Sequence, residues 1–358
     1  SAKGGILENT PRIDYTGGGA GSLLLEPSRT NVIRYSEYLE EWHSNNNVSL
    51  SVNNAISPEG LNNATKITAT STSNSFIREP ISTSAGDNVF SIFAKYEDCQ
   101  YIILRSIFFT GGEEAEVWFD IQNGVKGGST GDDVTYDIED YGNGWYRCYA
   151  IFNVDAGDTS GYCYIYLSST DESFNVVSGT SAHIYGGQAE LGSYPTSYIP
   201  TYGTSQTRAE DFFDLSADFT NFFGNNQGTI YIETDKRLFE GLSSNEEFIG
   251  FKDVTKYWRI IGSQTIIFIQ CNNWGSTIIH YPYNTNPTKY LFKWDGSNIS
   301  FYIDGVLIGT ATQTAPFNPN QFGRTGNGVS MDSQELLNQF TLFPTALTDS
   351  ECIELTTI

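Results

Sequence analysis

Aromatic and polar side chains around Trp274 form the pattern in this sequence that is most typical of a sugar-binding surface. Asn273 precedes Trp274 in CNNWGST, and the next predicted strand, STIIHYPY, carries His280, Tyr281 and, at its end, Tyr283. Aromatic rings stack on the apolar faces of pyranoses, while planar polar groups bind their hydroxyls. We therefore predict a carbohydrate-binding patch here. The alternative is that these aromatic residues cap a sandwich edge or meet another subunit.

A second candidate ring is Trp118, which follows the acidic turn GGEEAE. The glutamates of this turn, Glu113, Glu114 and Glu116, read as a solvated acidic turn rather than as a catalytic group. The remaining tryptophans lie in alternating strands or strand-like words, and we expect them in the core. They are Trp42, Trp145, Trp258 and Trp294.

Residues for catalysis do not form a recognisable constellation. The three histidines, His43, His183 and His280, are scattered along the chain, and no GxSxG motif occurs. Glu233 and Asp235 have the two-residue spacing that places carboxylates on one face of a strand. The acid expected further along IYIETDKRL is not there. We therefore predict that the protein is not an enzyme.

Metal and disulfide chemistry have weak sequence support. The five cysteines are odd in number and include no CxxC pair, so neither a zinc site nor a disulfide framework is expected. Cys148 and Cys163 lie in strand-like runs and read as small buried side chains. Loop carboxylates of the type that Ca²⁺ prefers would allow one structural calcium ion, although none has EF-hand spacing. They are Asp132-Asp133, Asp155 with Asp158, and Asp171-Glu172. We expect no other cofactor.

The charge of the chain excludes some classes of partner. The formal net charge is -23 and the pI is about 4.3, so phosphate backbones and anionic membranes would be repelled. No apolar run is long enough to predict a transmembrane helix. The chain opens SAKGGILENT, without a signal-peptide pattern and without an initial Met. Either removal of a Met or a cut from a longer protein would account for that start.

Short alternating segments separated by Gly-rich turns run through the chain and predict an all-β protein. A length of 358 residues suits two domains of ordinary size. We predict two antiparallel β-sandwich (jelly-roll) domains in tandem, over 31–205 and 206–358, preceded by an extended N-terminal arm over 1–30. The prolines of SYPTSYIPTYG indicate a stiff extended connector between the sandwiches.

Local signals specify several details of the second domain. Asp295-Gly296 and Asp304-Gly305 predict two successive hairpins. Thr348 has the character of a helix N-cap, with Glu351 completing a capping box for a short helix over 348–355. The strand NISFYID is expected to bury one face, formed by Ile299, Phe301 and Ile303.

KYLFKWDGSNISFYIDGVLIGT and FTLFPTALTDSECIEL resemble segments of a laminin-G or concanavalin-like sandwich. Four other segments resemble a family of tailed-phage virion proteins: PRIDYTGGG, LLLEPSRTN, YSE before Trp42 and GGQAELGSYPTSYIPTYGTSQTRAED. In that family a carbohydrate-binding-module-like sandwich precedes a laminin-G-like or concanavalin A-like sandwich. The resemblance implies a structural protein of the phage tail or an exposed appendage, located on the virion and facing outward.

The fold type further suggests attachment to host-surface glycans, or more broadly to a marine or bacterial polysaccharide. Two alternatives stay open: a polysaccharide lyase or glycosidase with an accessory binding module, and a decoration protein that binds only other virion proteins. Multivalent sugar binding favours a homo-oligomer such as a trimer. The arm, with its Leu23–Leu25 run and Gly17–Gly19 hinge, would be its clasp. The alternative is that the arm is an edge strand on its own domain.

Overall fold

The chain divides into two compact units. A computed structural model describes residues 13–14, 22–107, 115–130, 134–214, 227–234, 246–252, 257–262, 266–271, 278–282, 288–312, 321–323 and 335–357. The first unit contains Arg29–Arg208, and the second contains Pro11–Ser28 and Ala209–Ile358. Within the described residues, the chain passes from one unit to the other after Ser28 and again after Arg208.

Within these described ranges the chain forms strands and one short α-helix, as follows: β1 (Ile13–Asp14), β2 (Ser22–Leu25), β3 (Arg29–Asn31), β4 (Ser44–Asn46), β5 (Val48–Ala55), β6 (Ala64–Ala69), β7 (Phe76–Ser82), β8 (Gly86–Tyr96), β9 (Tyr101–Ile107), β10 (Ala115–Asp120), β11 (Val125–Thr130), β12 (Thr135–Gly142), β13 (Trp145–Val154), β14 (Ser160–Ser168), β15 (Ser181–Leu191), β16 (Gln206–Arg208), β17 (Phe212–Asp214), β18 (Gln227–Thr234), β19 (Glu246–Lys252), β20 (Tyr257–Gly262), β21 (Ile266–Cys271), β22 (Ile278–Pro282), β23 (Lys289–Asp295), β24 (Asn298–Ile303), β25 (Val306–Thr312), β26 (Gln321–Gly323), β27 (Glu335–Phe343) and α1 (Asp349–Thr356). A 3-10 turn, Leu39–Glu41, lies within the segment YSEYLEEW.

The first unit is a β-sandwich of two antiparallel sheets. Their strand orders are β11-β10-β9-β14-β7-β4 and β12-β13-β8-β15-β6-β5, and β3 pairs with β16 in a separate two-stranded ribbon. One hydrophobic cluster draws buried side chains from both sheets, for example Ile165 on β14 and Phe90 on β8, each at most 1% exposed. Trp42 and Trp145 are buried, as are Cys148 and Cys163, which confirms their predicted place in the interior.

A buried asparagine joins two of the sequence words. Asn31, at the end of β3, is fully buried, and its side-chain amide donates to the carbonyls of Gly187 and Ile199 at 3.1 and 2.8 Å. Its Oδ1 accepts from the backbone N–H groups of Ile33 and Ala189, each at 3.1 Å. A buried amide needs all such partners satisfied. LLLEPSRTN and GGQAELGSYPTSYIP therefore depend on each other for their structure.

The predicted connector packs onto the first unit. Glu190 is 1% exposed and accepts from the backbone N–H of Thr196 at 2.8 Å, from the Thr196 hydroxyl at 2.6 Å and from Gln188 at 2.7 Å. Charge-assisted hydrogen bonds of this kind hold an extended proline-containing segment without a sheet ladder. The Tyr198 hydroxyl donates to Ser36 at 2.7 Å, which ties the end of this segment to the start of the unit.

The second unit is also a β-sandwich of antiparallel sheets. One has the strand order β1-β2-β27-β18-β23-β24-β25, and the other has the order β17-β26-β19-β20-β21-β22. The fold prediction of all-β sandwiches is therefore confirmed.

The prediction of a separate arm over 1–30 is wrong for its described part. The Leu23–Leu25 run lies in β2, where Leu23 pairs with Leu337 and Leu25 with Glu335 of β27, and Leu24 is 3% exposed. The Leu24 side chain, part of the apolar run that motivated a clasp between subunits, is buried within the same chain and is thereby removed from water. Gly17–Gly19 lie outside the described residues.

The local predictions for the second unit hold. β23, β24 and β25 form two consecutive hairpins, with Asp304 and Gly305 at φ of 44° and 80° in the second turn. Such positive φ values are required by a two-residue turn between twisted strands. Thr348 caps α1, and its reciprocal hydrogen bonds with Glu351 complete the capping box. No helix in the described parts of the chain combines the length and apolar character that a membrane crossing requires.

Candidate functional site

The outer face of the sheet β11-β10-β9-β14-β7-β4 carries a dense set of aromatic and charged side chains. Successive side chains of a strand point to opposite faces, so the residues that alternate with the sandwich core lie on this outer surface. A loop residue, Phe174, packs onto it. We call the surface the aromatic face and define it by Phe76, Arg78, Ile103, Arg105, Ile107, Glu116, Trp118, Tyr162, Tyr164, Tyr166 and Phe174.

One row of polar residues crosses this sheet from edge to edge. Its members stand directly opposite one another on neighbouring strands: Ser44, Arg78, Tyr164, Arg105, Glu116 and Thr130. Since neighbouring strands are about 4.8 Å apart, the row spans roughly 24 Å across the six strands. Directly opposed side chains share a face and interact. The row is therefore a continuous polar track on an otherwise aromatic surface, and we call it the polar row.

Hydrogen bonds and an ion pair organise the polar row. Arg78 Nη1 donates to the Tyr164 hydroxyl at 2.8 Å. Arg105 Nε and Glu116 Oε1 lie 2.5 Å apart, and the Thr130 hydroxyl donates to Glu116 Oε2 at 2.7 Å. The Arg105 and Glu116 side chains are 25% and 16% exposed, so both reach solvent. Fixed guanidinium donors beside a carboxylate acceptor suit the recognition of hydroxyl and carboxylate groups.

Packed aromatic rings lie beneath the polar side chains of the polar row. Tyr164 and Tyr166 are stacked with their centroids 5.6 Å apart, and Phe76 lies 5.2 and 4.8 Å from them. Tyr164 and Tyr166 are 3% and 4% exposed, so these rings support the surface rather than offer a stacking platform. Burial is the main cause that raises the pKa of Tyr166, which keeps its hydroxyl neutral.

The arginine side chains lie over rings of the same face. The Arg78 guanidinium carbon is 4.7 Å from the ring centre of Tyr162 and 5.6 Å from that of Tyr164. The Arg105 guanidinium carbon is 5.7 Å from the ring centre of Phe174. A cation over an aromatic face is attracted by the ring quadrupole, and the planar guanidinium loses little further freedom on binding. The donors of the polar row are therefore preorganised.

Trp118 belongs to the aromatic face, but the prediction of an exposed ring is wrong. Its side chain is 2% exposed, and its Nε1–H donates to the carbonyl of Ser173 at 3.0 Å. Phe174 packs edge-on against it at 5.6 Å between ring centres. The loop that carries Ser173 and Phe174 covers the indole, so the ring cannot stack on a sugar in this conformation.

The other predicted sugar-binding residues belong to the second unit. His280 and Tyr281 belong to β22, which is the last strand of its sheet in the described part of the unit. Asn273, Trp274 and Tyr283 lie outside the described residues. The patch around Trp274 therefore stays a prediction.

A second cluster lies at the outer surface of the other sheet of the first unit, where Tyr185 on β15 meets two carboxylates. The Tyr185 hydroxyl lies 3.1 Å from Glu37 Oε1 and 2.8 Å from Glu59 Oε2. One hydroxyl proton serves only one acceptor at a time. Burial, with a further contribution from the charge of Glu59, raises the pKa of Glu37. Nearby, the rings of Tyr38 and Tyr202 are 45% and 59% exposed. We call Glu37 and Glu59 the carboxylate pair.

The remaining candidate positions do not converge on a metal or a catalytic centre. No group of three or more His, Cys, Asp or Glu side chains gathers within the described ranges. Asp171 Oδ1 accepts from the backbone N–H groups of Gly128 and Glu172 at 2.8 and 3.0 Å, so it is already engaged in loop structure. His43 and His183 both lie in the first unit but in different surroundings: His43 lies 6.1 Å from the Tyr162 ring, whereas His183 contacts Asn54. Asp132-Asp133 lie outside the described residues.

Sequence reasoning missed the polar row and its arginines. The one usable signal was the alternation in GYCYIY, where Cys163 and Ile165 face the core and the intervening tyrosines must face outward. Nothing in the sequence placed Arg78, Tyr164 and Arg105 side by side, because they lie on strands that pair over long separations.

Comparisons with known proteins do not assign a family. No family model and no curated protein matches the chain. Among solved structures, a receptor-binding domain matches at 14% identity and a TM-score of 0.30, over 43% of this chain and 40% of that one. A structure of botulinum neurotoxin type C, described there as interacting with two ganglioside molecules, matches at 14% identity and a TM-score of 0.27, over 36% of this chain and 34% of that one. The chain thus spans less than half the length of these structures.

Two further structures cover more of the chain. Mouse laminin α1 domains LG4–5 match at 12% identity and a TM-score of 0.25, over 77% of this chain and 90% of that one. Trypanosoma rangeli sialidase matches at 10% identity and a TM-score of 0.29, over 82% of this chain and 60% of that one. At TM-scores this low, none of these likenesses indicates what the chain binds. The functional proposal therefore rests on the side-chain geometry of the first unit.

Proposed function

We propose that this protein is a non-enzymatic component of a phage tail or exposed virion appendage that attaches to host-surface glycans. The polar row on the aromatic face is the observation that carries the binding part. It offers two preorganised guanidinium groups, a carboxylate and flanking hydroxyls in one line of roughly 24 Å. A linear polymer with a hydroxyl on every unit can make repeated contacts along such a track.

The virion part of the proposal rests on the sequence words that resemble tailed-phage proteins. A protein on the outside of a particle would meet bacterial or marine polysaccharides together with other virion proteins. Single glycan sites bind weakly, so several copies in a homo-oligomer, such as a trimer, would raise the overall affinity. The net charge of -23 keeps such an exposed assembly soluble.

A glycan array combined with a reducing-sugar assay tests this function. We expect retention of one polysaccharide class without release of reducing ends. The variant Arg105→Gln, which removes the charged partner of Glu116, should weaken retention. The variant Lys66→Gln removes a cation from the opposite sheet, where Lys66 pairs with Glu97 at 2.7 Å, and should leave retention unchanged. Absence of retention on every glycan would favour a decoration protein and overturn the proposed attachment role.

The carboxylate pair supports a polysaccharide-degrading enzyme as the second candidate. Glycosidases use two carboxylates in different protonation states. Glu37 and Glu59 share one tyrosine hydroxyl, and the pKa of Glu37 is raised by burial. In this case the wild-type protein would release reducing ends, and both Glu37→Gln and Glu59→Gln would abolish the release. No turnover by the wild-type protein on polymers that it retains would exclude this candidate for those polymers.

A further inference from the structure

Arg78 has no carboxylate partner within the described part of the chain, unlike the other arginine of the polar row, Arg105. In the described part of the chain, Arg34 pairs with Glu79, Lys66 with Glu97 and Arg105 with Glu116. Among the described residues, the polar and aromatic partners of the Arg78 guanidinium are the Tyr164 hydroxyl and the rings of Tyr162 and Tyr164.

Contacts with Tyr162 and Tyr164 position the Arg78 side chain but engage few of its N–H donors in hydrogen bonds. A guanidinium group has five N–H donors, and only one contact with a hydroxyl engages them here, at 2.8 Å from Nη1. The Nε atom of Arg78 is buried and has no hydrogen-bond partner. A half-buried guanidinium with unsatisfied donors costs free energy that an incoming anion can offset. The described residues therefore engage only one of the two terminal nitrogens of Arg78 in a hydrogen bond, and the other can donate to an external anionic partner.

The polar row is asymmetric in charge as a result. At one end the charges of Arg105 and Glu116 compensate each other, and the Thr130 hydroxyl completes that end. At the other end stand Arg78, which has a full positive charge, and Ser44, which pairs with it across β4 and β7. The end with Arg105 and Glu116, where the charges cancel, suits the hydroxyls of a neutral sugar. The end with Arg78 suits an acidic group.

The net charge of -23 opposes the approach of any polyanion. At physiological ionic strength this repulsion is screened over about 8 Å, so an acidic glycan would have to be held by the local contact with Arg78. A guanidinium stacked on rings is weakly hydrated and planar, which suits two-point recognition of a carboxylate or a sulfate.

We propose that the Arg78 end of the polar row binds the acidic group of a carboxylated or sulfated glycan, so that the ligand is an anionic polysaccharide rather than a neutral one. This inference rests on the proposed glycan-binding function. It names the substrate class of that same surface and assigns the charge selection to Arg78.

The test compares a carboxylated probe with its neutral ester, which differ in charge but not in sugar backbone, and adds a sulfated probe built on a different sugar. Fluorescent oligogalacturonate, its fully methyl-esterified form and a sulfated galactan oligosaccharide are titrated with the full chain by fluorescence anisotropy. We expect the wild-type protein to bind at least one acidic probe about tenfold or more tightly than the neutral ester, the effect of one charge-assisted bidentate contact. Binding of the carboxylate probe, the sulfate probe or both shows which acidic group is used.

Two variants assign the selectivity to Arg78. Arg78→Met keeps apolar contact with the rings but removes the charge, and it should lower affinity for the acidic probe to that for the neutral ester. Arg78→Lys keeps the charge but loses the planar fork, and it should retain part of the selectivity. Lys66→Gln is the control for a general charge effect and should keep the full preference. Thermal unfolding of each variant checks that the unit is folded.

The outcomes separate the inference from the proposed function. A preference for an acidic probe that vanishes in Arg78→Met supports the inference. Equal binding of acidic and neutral probes, or a preference that survives in a folded Arg78→Met protein, overturns it while glycan binding stands. If Arg78→Met does not fold, the Arg78→Lys protein decides: unchanged selectivity there overturns the inference. No binding of any probe or array glycan overturns both.

Discussion

Replacing Trp118 with alanine distinguishes a buried structural ring from an exposed sugar-binding ring. The indole is 2% exposed and packs in a cluster with Ile103 and Tyr166. Removing a buried Trp costs about 3–5 kcal/mol, because apolar surface is lost and a cavity remains. The hydrogen bond from Nε1 to Ser173, at 3.0 Å, contributes about 1 kcal/mol within that range. The first unit should therefore unfold at a lower temperature by about 6–20 °C, taking roughly 2–4 °C per kcal/mol for a domain of 150–250 residues.

Differential scanning calorimetry of the full chain is the suitable assay, because two units can give two transitions. Trp118→Phe is the matched control: it keeps a ring against Phe174 but loses the N–H, so about 1–2 kcal/mol of destabilisation is expected. The reasoning is refuted if Trp118→Ala leaves both transitions in place while glycan retention falls. That result would mean that the ring is available to ligand, as the sequence alone suggested.

The remaining predictions concern pH and helix capping. Burial raises the pKa of Glu37, so its contribution to stability is present below the usual glutamate pKa and is lost as pH rises through the raised value. Glu37→Gln should therefore raise the unfolding temperature relative to wild type at pH 7, with the difference shrinking towards pH 4; a constant difference across that range would contradict the assignment. Thr348→Ala removes the hydroxyl that accepts from the backbone N–H of Glu351 at the start of α1 and leaves the bond from the backbone N–H of residue 348 to Glu351 in place; it should cost about 1 kcal/mol in denaturant unfolding of the second unit. Thr348→Ser keeps the hydroxyl and should be close to wild type, and equal losses in the two variants would argue against capping.

Local patterns in the sequence determined the all-β class and many individual elements. A period of two residues specifies a strand and its two faces regardless of what packs on them. Asp304-Gly305 specifies a turn because the backbone there requires positive φ. Thr348 and Glu351 specify a helix start because their bonds close within four residues. Each of these signals depends on interactions between residues that are close in sequence, so it can be recognised without knowledge of the tertiary structure.

The tertiary structure alone decided which strands meet and which faces are covered. Leu24 pairs with Leu336 across more than three hundred residues, and no local signal distinguishes that pairing from a free arm. Tyr302 lies opposite the predicted core face of NISFYID, yet it is fully buried because Cys352 of α1 packs over it.

The candidate site also depends partly on local sequence patterns and partly on the tertiary structure. Alternation in GYCYIY shows that the tyrosines face away from the core, but only the register of β7, β14 and β9 brings Arg78, Tyr164 and Arg105 into one line. Register between distant strands is set by the packing of the whole sandwich, since a shift by one residue would turn every side chain to the other face. The sequence alone therefore determined the strands that could carry a site, and long-range strand pairing decided that an arginine without a carboxylate partner stands in its polar row.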